Sequence, residues 1–177
     1  MKLKLVFSLV ATNFFAGCAF NVAQYGASVN NVESIRSAGI KPVSVSAFNS
    51  LEPEKSSINC RAAGPVSVKP TFASYIEKAF IDELKLAGAY DPMSNLVIKG
   101  TLEEIDFSSG ITDGKWLFTL SLTNSRGESY TTKSIYNFSG SFIADRACQE
   151  TAQAFAPAVQ KLVQDMVANS QFKKIAN

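Results

Sequence analysis

Between Leu96 and Phe138 the chain alternates apolar and polar residues three times over, and each time the bulky side chains fall on one face. In Leu96–Phe107, Leu96, Ile98, Gly100 and Leu102 point one way and Val97, Lys99, Thr101 and Glu103 the other. In Lys115–Thr123, Trp116, Phe118, Leu120 and Leu122 oppose Thr119, Ser121 and Thr123. In Glu128–Phe138, Tyr130, Thr132, Ser134, Tyr136 and Phe138 share a side. A period of two marks a strand with one buried face. Asn124-Ser125-Arg126-Gly127 supplies a turn between the second and third, with Gly127 suited to a positive φ. A meander with a single greasy face needs a second layer to bury it, and only helices remain to provide one.

Two segments have helical spacing. Over Thr71–Gly88, Phe72, Ile76, Phe80, Leu84 and Ala87 recur every three or four residues behind Thr71 as N-cap, and Gly88 ends the run. Glu77, Lys78, Asp82, Glu83 and Lys85 are expected on its solvated side. Over Asp145–Ser170 the stripe is Ala147, Thr151, Ala154, Ala158, Leu162, Val163 and Met166, interrupted by Pro157, which should kink or restart the helix. Pro42–Phe48 alternates as a further strand, and Val32–Ala38 forms a short helix closed by Gly39. Asn49–Pro70 holds Pro53, Gly64, Pro65 and Pro70, has no sustained period, and reads as a long loop. The expected fold is α+β: an antiparallel sheet of about four strands, in β-α-β-β-β-α order, covered on one face by two helices.

The first eighteen residues carry an address. Lys2 and Lys4 precede an almost wholly apolar run from Leu5 to Phe15, the layout of a secretory signal peptide. That run is short of the about 20 apolar residues needed to cross a bilayer. It ends in Phe15-Ala16-Gly17-Cys18, which resembles the bacterial lipobox. The resemblance implies that residues 1–17 are removed and Cys18 is acylated, and Ala19 rather than Asp after it implies transport to the outer membrane. The expected organisation is therefore a signal peptide over 1–17, a lipidated N-terminus and tether over 18–40, and a single periplasmic domain over 41–177.

Composition narrows the function more than it defines it. Lys2 and Lys4 account for the excess of 17 basic over 15 acidic residues, so the chain from Cys18 onward is neutral. No basic run offers a nucleic-acid footprint. Histidine is absent, which removes the commonest general base, the commonest metal ligand and the usual partner of a nucleophile. No metal site and no cofactor are expected. With Cys18 committed to lipid, Cys60 and Cys148 are left in an oxidising compartment, where a disulfide is the expected state and two separate buried thiols the alternative.

Three groups of residues invite a chemical reading, and each has a plainer one. Glu103, Glu104 and Asp106 crowd one strand end, with Glu104 and Asp106 sharing a face by alternation and Glu103 opposite. They suit paired acids or a cation site, or simply a solvated strand end that discourages edge pairing. Ser108-Ser109-Gly110 has no base to activate it and no GxSxG context. Trp116, Phe118, Tyr130, Tyr136 and Phe138 line either an apolar groove or the core beneath the helices. No catalytic residue is assigned.

The stretch Tyr75-Ile76-Glu77-Lys78-Ala79-Phe80 through Leu84-Lys85-Leu86-Ala87-Gly88, followed by Leu96-Val97-Ile98-Lys99-Gly100-Thr101-Leu102, resembles small proteobacterial lipoproteins of the YajG-like type. The resemblance spans roughly 41–167 and implies fold and location, not catalytic residues. The function expected is a non-catalytic, membrane-anchored binding or accessory subunit in envelope assembly or maintenance. Its partners are the membrane, through the lipid on Cys18, and an envelope protein. The alternative is a periplasmic carrier of a lipid or other apolar ligand. An enzyme acting on glycan through Glu104 and Asp106 ranks below both, since glycoside chemistry needs two carboxyls facing across a cleft, about 5 Å or 6.5–9.5 Å apart.

Overall fold

Strand, helix and hairpin follow one another from the first residues of the computed structural model, which describes residues 19–177. The expected signal peptide over 1–17 and the expected lipidation site Cys18 lie outside the described residues. The order is β1 (Phe20–Asn21), α1 (Val29–Ala38), β2 (Ser44–Val45), β3 (Asn49–Ser50), β4 (Ser57–Cys60), β5 (Gly64–Ser67), α2 (Phe72–Ala87), β6 (Val97–Ser109), β7 (Asp113–Asn124), β8 (Ser129–Ser139), α3 (Ala144–Ala168) and α4 (Phe172–Ile175). The fold is α+β.

The alternating segments become the antiparallel meander β6-β7-β8, paired from Ile98↔Asn124 to Asp113↔Ser139. On its inner face Ile98, Leu102, Ile105, Trp116, Phe118, Leu120 and Leu122 are buried under α2 and α3. Short strands β2 and β3 add to the free edge of β6, and both run parallel to it. The reason is topological: the return from β2 and β3 to β6 passes through α2, and a strand-helix-strand crossover brings its two strands parallel. The sheet is thus an antiparallel meander with a parallel edge. Gly100 of β6 makes that edge pack, since a Cβ there would lie 2.5 Å from the Phe48 ring.

Both long helices form as their periods require. Thr71 Oγ1 accepts from the Ser74 amide at 3.1 Å, and Gly88 closes α2 at φ 74°. Helix α3 runs through Pro157 without a restart, one of the two outcomes expected there. The carbonyl that loses its partner belongs to Gln153, an exposed residue, so water can take the vacant bond. The helix–sheet interior is knit by hydrogen bonds as well as by packing. Trp116 Nε1 donates to Thr151 O at 2.9 Å, Tyr130 Oη to Met166 O at 2.8 Å, and Ser134 Oγ to Asp165 at 2.7 Å.

The stretch 49–70 is not a loop. It contains β3 and the β4–β5 hairpin, with Ile58 opposite Val66 and Cys60 opposite Gly64, and β1 adds to the far side of β5. Four-residue strands are too short to display a period, and Pro65 within β5 argues against a strand at the sequence level. This three-stranded sheet is held to the main body by the disulfide Cys60–Cys148, whose Cα atoms are 5.8 Å apart. The expected pairing of the two cysteines is present. In the chain-entropy model the loop closed across their sequence separation of 88 contributes about 4–5 kcal/mol. The Cys148→Ser variant should therefore lose roughly 4 kcal/mol of unfolding free energy in denaturant titrations, and reducing the native protein should lower its midpoint to that of the variant.

Candidate functional site

The end of the molecule at which the chain enters the domain is the place where sequence and structure meet. From Phe20 onward the segment 18–40 is docked rather than free. Phe20 pairs with Val66, Asn21 with Ser67, and the Val22 amide donates to Ser67 O at 3.1 Å. Tyr75 on α2 reaches across to donate to Ala23 O at 2.8 Å, and its ring meets Tyr25 edge-on at 6.2 Å.

The strongest hold is Glu83, assigned to the solvated side of α2 by the sequence but fully buried in the structure. Its Oε1 accepts from Tyr25 Oη at 2.5 Å, the Ser28 amide at 2.8 Å and Asn31 Nδ2 at 3.2 Å. Asn31 Nδ2 also donates to Gln160 O, and Gln160 Nε2 returns a bond to Gly26 O at 2.7 Å. One carboxylate therefore fixes the entry segment, α1 and α3 to α2. Burial pushes the Tyr25 phenol far above its ordinary pKa, and its bond to the Glu83 carboxylate pushes it further. It remains a donor at any physiological pH. Glu77, the other acid misplaced by charge alone, accepts from the Phe48 amide at 2.9 Å and helps seat β3. A signal for Glu83 was present: it lies seven residues after Ile76 and three after Phe80, on the buried stripe.

The disulfide anchors the other side of the same region. Beside Cys60, Arg61 donates to Ser109 O at 2.5 Å and to Gly110 O at 2.9 Å, tying the β4–β5 turn to the β6–β7 loop. Ser109 is thus a structural acceptor as well as a hydroxyl near the disulfide.

The acidic group is rearranged by a β-bulge. Register shifts between Leu102 and Glu104, so Glu103 and Glu104 both point to the outer face of the sheet and Ile105 returns to the core. Alternation had placed Glu103 opposite. Glu103 accepts from Ser121 Oγ, Glu104 from Thr119 Oγ1 at 3.1 Å, and Asp106 from the Phe107 amide at 2.8 Å. These acids lie along an open sheet face, bonded to neighbouring hydroxyls and backbone. The aromatic stripe is core: Trp116 lies 4.8 Å from Phe107, 4.9 Å from Phe155 and 6.0 Å from Phe118, ring centre to ring centre. The clefts between elements are surface features. One, of about 370 Å³, runs between the entry segment and β5 beside Tyr75. Another, of about 400 Å³, lies between the β3–β4 connection and the start of α2. No helix among the described residues is long and apolar enough to cross a membrane.

Two expectations follow from the Glu83 junction. Glu83→Ala strands three donors at once and should cost about 3 kcal/mol, with fast amide exchange at Ser28 where the native protein is protected; Glu83→Gln, which keeps an acceptor oxygen, should lose less. The second concerns alkaline pH. Burial raises the phenols of Tyr25, Tyr130 and Tyr75, the last to about 12 against an ordinary 10.0. A raised phenol pKa stabilises the folded state fully below pH 10, and that contribution is lost as pH climbs through the folded value. The denaturant midpoint should fall between pH 10 and 12, together with the rise of tyrosinate absorbance.

No protein-family model matches the chain, and no curated protein matches it. Among solved structures it is similar to a crystal structure of a Xanthomonas campestris protein of the family DUF330. The two share 11% identity, the match covers 76% of this chain and 88% of that one, and the TM-score is 0.50. At that identity the likeness concerns fold alone.

Proposed function

We propose that this protein is a non-catalytic lipoprotein, anchored through acylated Cys18 to the periplasmic face of the outer membrane, and an accessory subunit in envelope assembly or maintenance. The observation that carries the reading is the lipobox-like Phe15-Ala16-Gly17-Cys18 set directly before a docked strand. A chain processed at that point begins its folded domain two residues after the lipid. The Cys60–Cys148 disulfide suits an oxidising compartment. The likeness to YajG-like lipoproteins belongs to the same reading.

The non-catalytic part rests on chemistry. With no histidine in the chain, acid–base work falls to carboxylates, and the three acids grouped on β6 lie along one sheet face instead of facing each other across a cleft. The carrier alternative draws less support, because Trp116, Phe118, Phe72 and Phe155 fill the space between helices and sheet where an apolar ligand would sit.

The test is the intact mass of the full-length protein extracted from membranes, with and without reductant. The expected mass starts at an acylated Cys18 and rises by two hydrogens on reduction. Cys18→Ala should move the protein from the membrane to the soluble fraction while leaving the disulfide in place. A wild-type product without acyl groups would sink the anchor, and a protein that crosslinks to no envelope protein at native abundance would sink the accessory role.

A further inference from the structure

The end at which the chain enters the domain also carries exposed apolar side chains. Strand β1 runs parallel to β5, so Ala19, just before Phe20↔Val66, lies toward the Gly64 end of β5, where Gly64 pairs with Cys60. From there the Arg61 guanidinium reaches Ser109 O and Gly110 O. The Gly140 amide donates to Thr112 O at 3.0 Å and the Ser141 amide to Gly110 O at 3.2 Å. The β4–β5 turn, the β6–β7 loop and the β8–α3 loop are thereby fastened into one tip. Glycines let the two loops close: a Cβ at Gly140 would lie 2.3 Å from Gly110 O.

From that tip project Ile111, 61% exposed, Phe142, 81%, and Ile143, 63%. Of the other large exposed apolar side chains, Val29 and Leu86 share one cleft between α1 and α2, and Leu51, Met93 and Ile135 lie on other elements. Three such residues on two mutually bonded loops form a patch, and patches of this kind mark contact surfaces. The charges at this end balance, Arg61, Lys115 and Arg146 against Asp113, Asp145 and Glu150. Headgroup charge therefore neither draws nor repels it.

We infer that this tip inserts into the lipid surface that holds the Cys18 acyl chains. The inference rests on the lipoprotein reading and deepens it, since the chain enters the domain at the end that carries the patch. Isoleucine and phenylalanine gain by leaving water, and shallow insertion of about 5–10 Å would accommodate all three. The loop carbonyls that would enter a drier medium already accept from Arg61 and from each other's amides, so insertion strands few polar groups. The strands and α3 then run away from the bilayer. The β7–β8 turn at Asn124–Gly127 and the α2–β6 connection bearing Met93 lie at the far end, about 40 Å off along the 13 residues of β6.

The full-length protein, extracted from membranes and reconstituted in phosphatidylethanolamine–phosphatidylglycerol vesicles, tests this. Tryptophan is introduced by F142W, by I111W, or by M93W at the far end, and Trp116, fully buried, gives a constant background. In vesicles with brominated acyl chains, the added emission of F142W and I111W should be shifted to the blue and quenched about twofold or more, that of M93W not at all. I111W carries the measurement if F142W does not fold. Equal quenching at both ends, or none at the tip, in protein whose intact mass shows acylated Cys18, overturns the tip insertion and leaves the anchor standing. An unacylated mass overturns both.

Discussion

Trp116 sits where every layer of the domain meets. Its ring is fully buried between Phe107 and Phe118 of the sheet, Phe72 at the start of α2 and Phe155 in the middle of α3. Its indole N–H is satisfied by Thr151 O, so the largest side chain in the core costs no unpaired donor. The small residues of α3 follow from this. Ala147, Ala152, Ala154 and Ala158 are buried along the helix, and Phe155 is the ring that α3 sets beside the indole. Removing bulk at this junction would open a cavity bordered by two helices and two strands, the situation in which relaxation is least able to recover the loss.

Around that junction the entry segment is secured by polar means, which is unusual for a stretch of such mixed composition. A two-residue strand such as β1 cannot hold itself. It is held because Glu83 accepts from three points along the following ten residues, and because β5, on which it lies, pairs with β4, which is bound covalently to α3. A buried carboxylate is costly unless its bonds are made. Here Oε1 takes three donors while the buried Oε2 has no partner among the described residues, and the bonds to Oε1 are the means by which one charge organises α1, α2, α3 and the chain leading into them.

The large pattern was legible because periodicity reports burial directly. The meander, the caps of α2 at Thr71 and Gly88, the stripe of α3 and the pairing of Cys60 with Cys148 could be read residue by residue. What escaped was decided by neighbours distant in sequence. Glu83 carries the chemistry of a surface residue at a core position, and only Tyr25, Ser28 and Asn31, more than fifty residues away, make that position tolerable. Strands β4 and β5 are too short to show a period. The bulge beside Glu103 shifts phase by one residue, which alternation cannot foresee. The exposed triad of Ile111, Phe142 and Ile143 was invisible as a group, because its members come from two loops joined only in space.

These features bear on how an anchored domain carries force. Under the proposed lipoprotein reading, a lipid on Cys18 would pull on a chain that reaches β1 within two residues, leaving little slack between anchor and fold. Load on β1 passes laterally into β5 and, through its partner β4, into the disulfide and the first turn of α3; load that travels further along the chain meets the Glu83 junction. Hydrogen bonds of a two-residue strand are weak alone, but the covalent link sits one hairpin away. Held from one end, as the proposed anchor would hold it, the domain would stay folded and keep a fixed attitude. A flexible tether would leave every surface equally available to a partner. A short, stapled one, as proposed, would leave the end opposite Cys60–Cys148, where Asn124 and Arg126 of the β7–β8 turn bond to Ile175 O and Asn177 O, as the surface facing away from the bilayer.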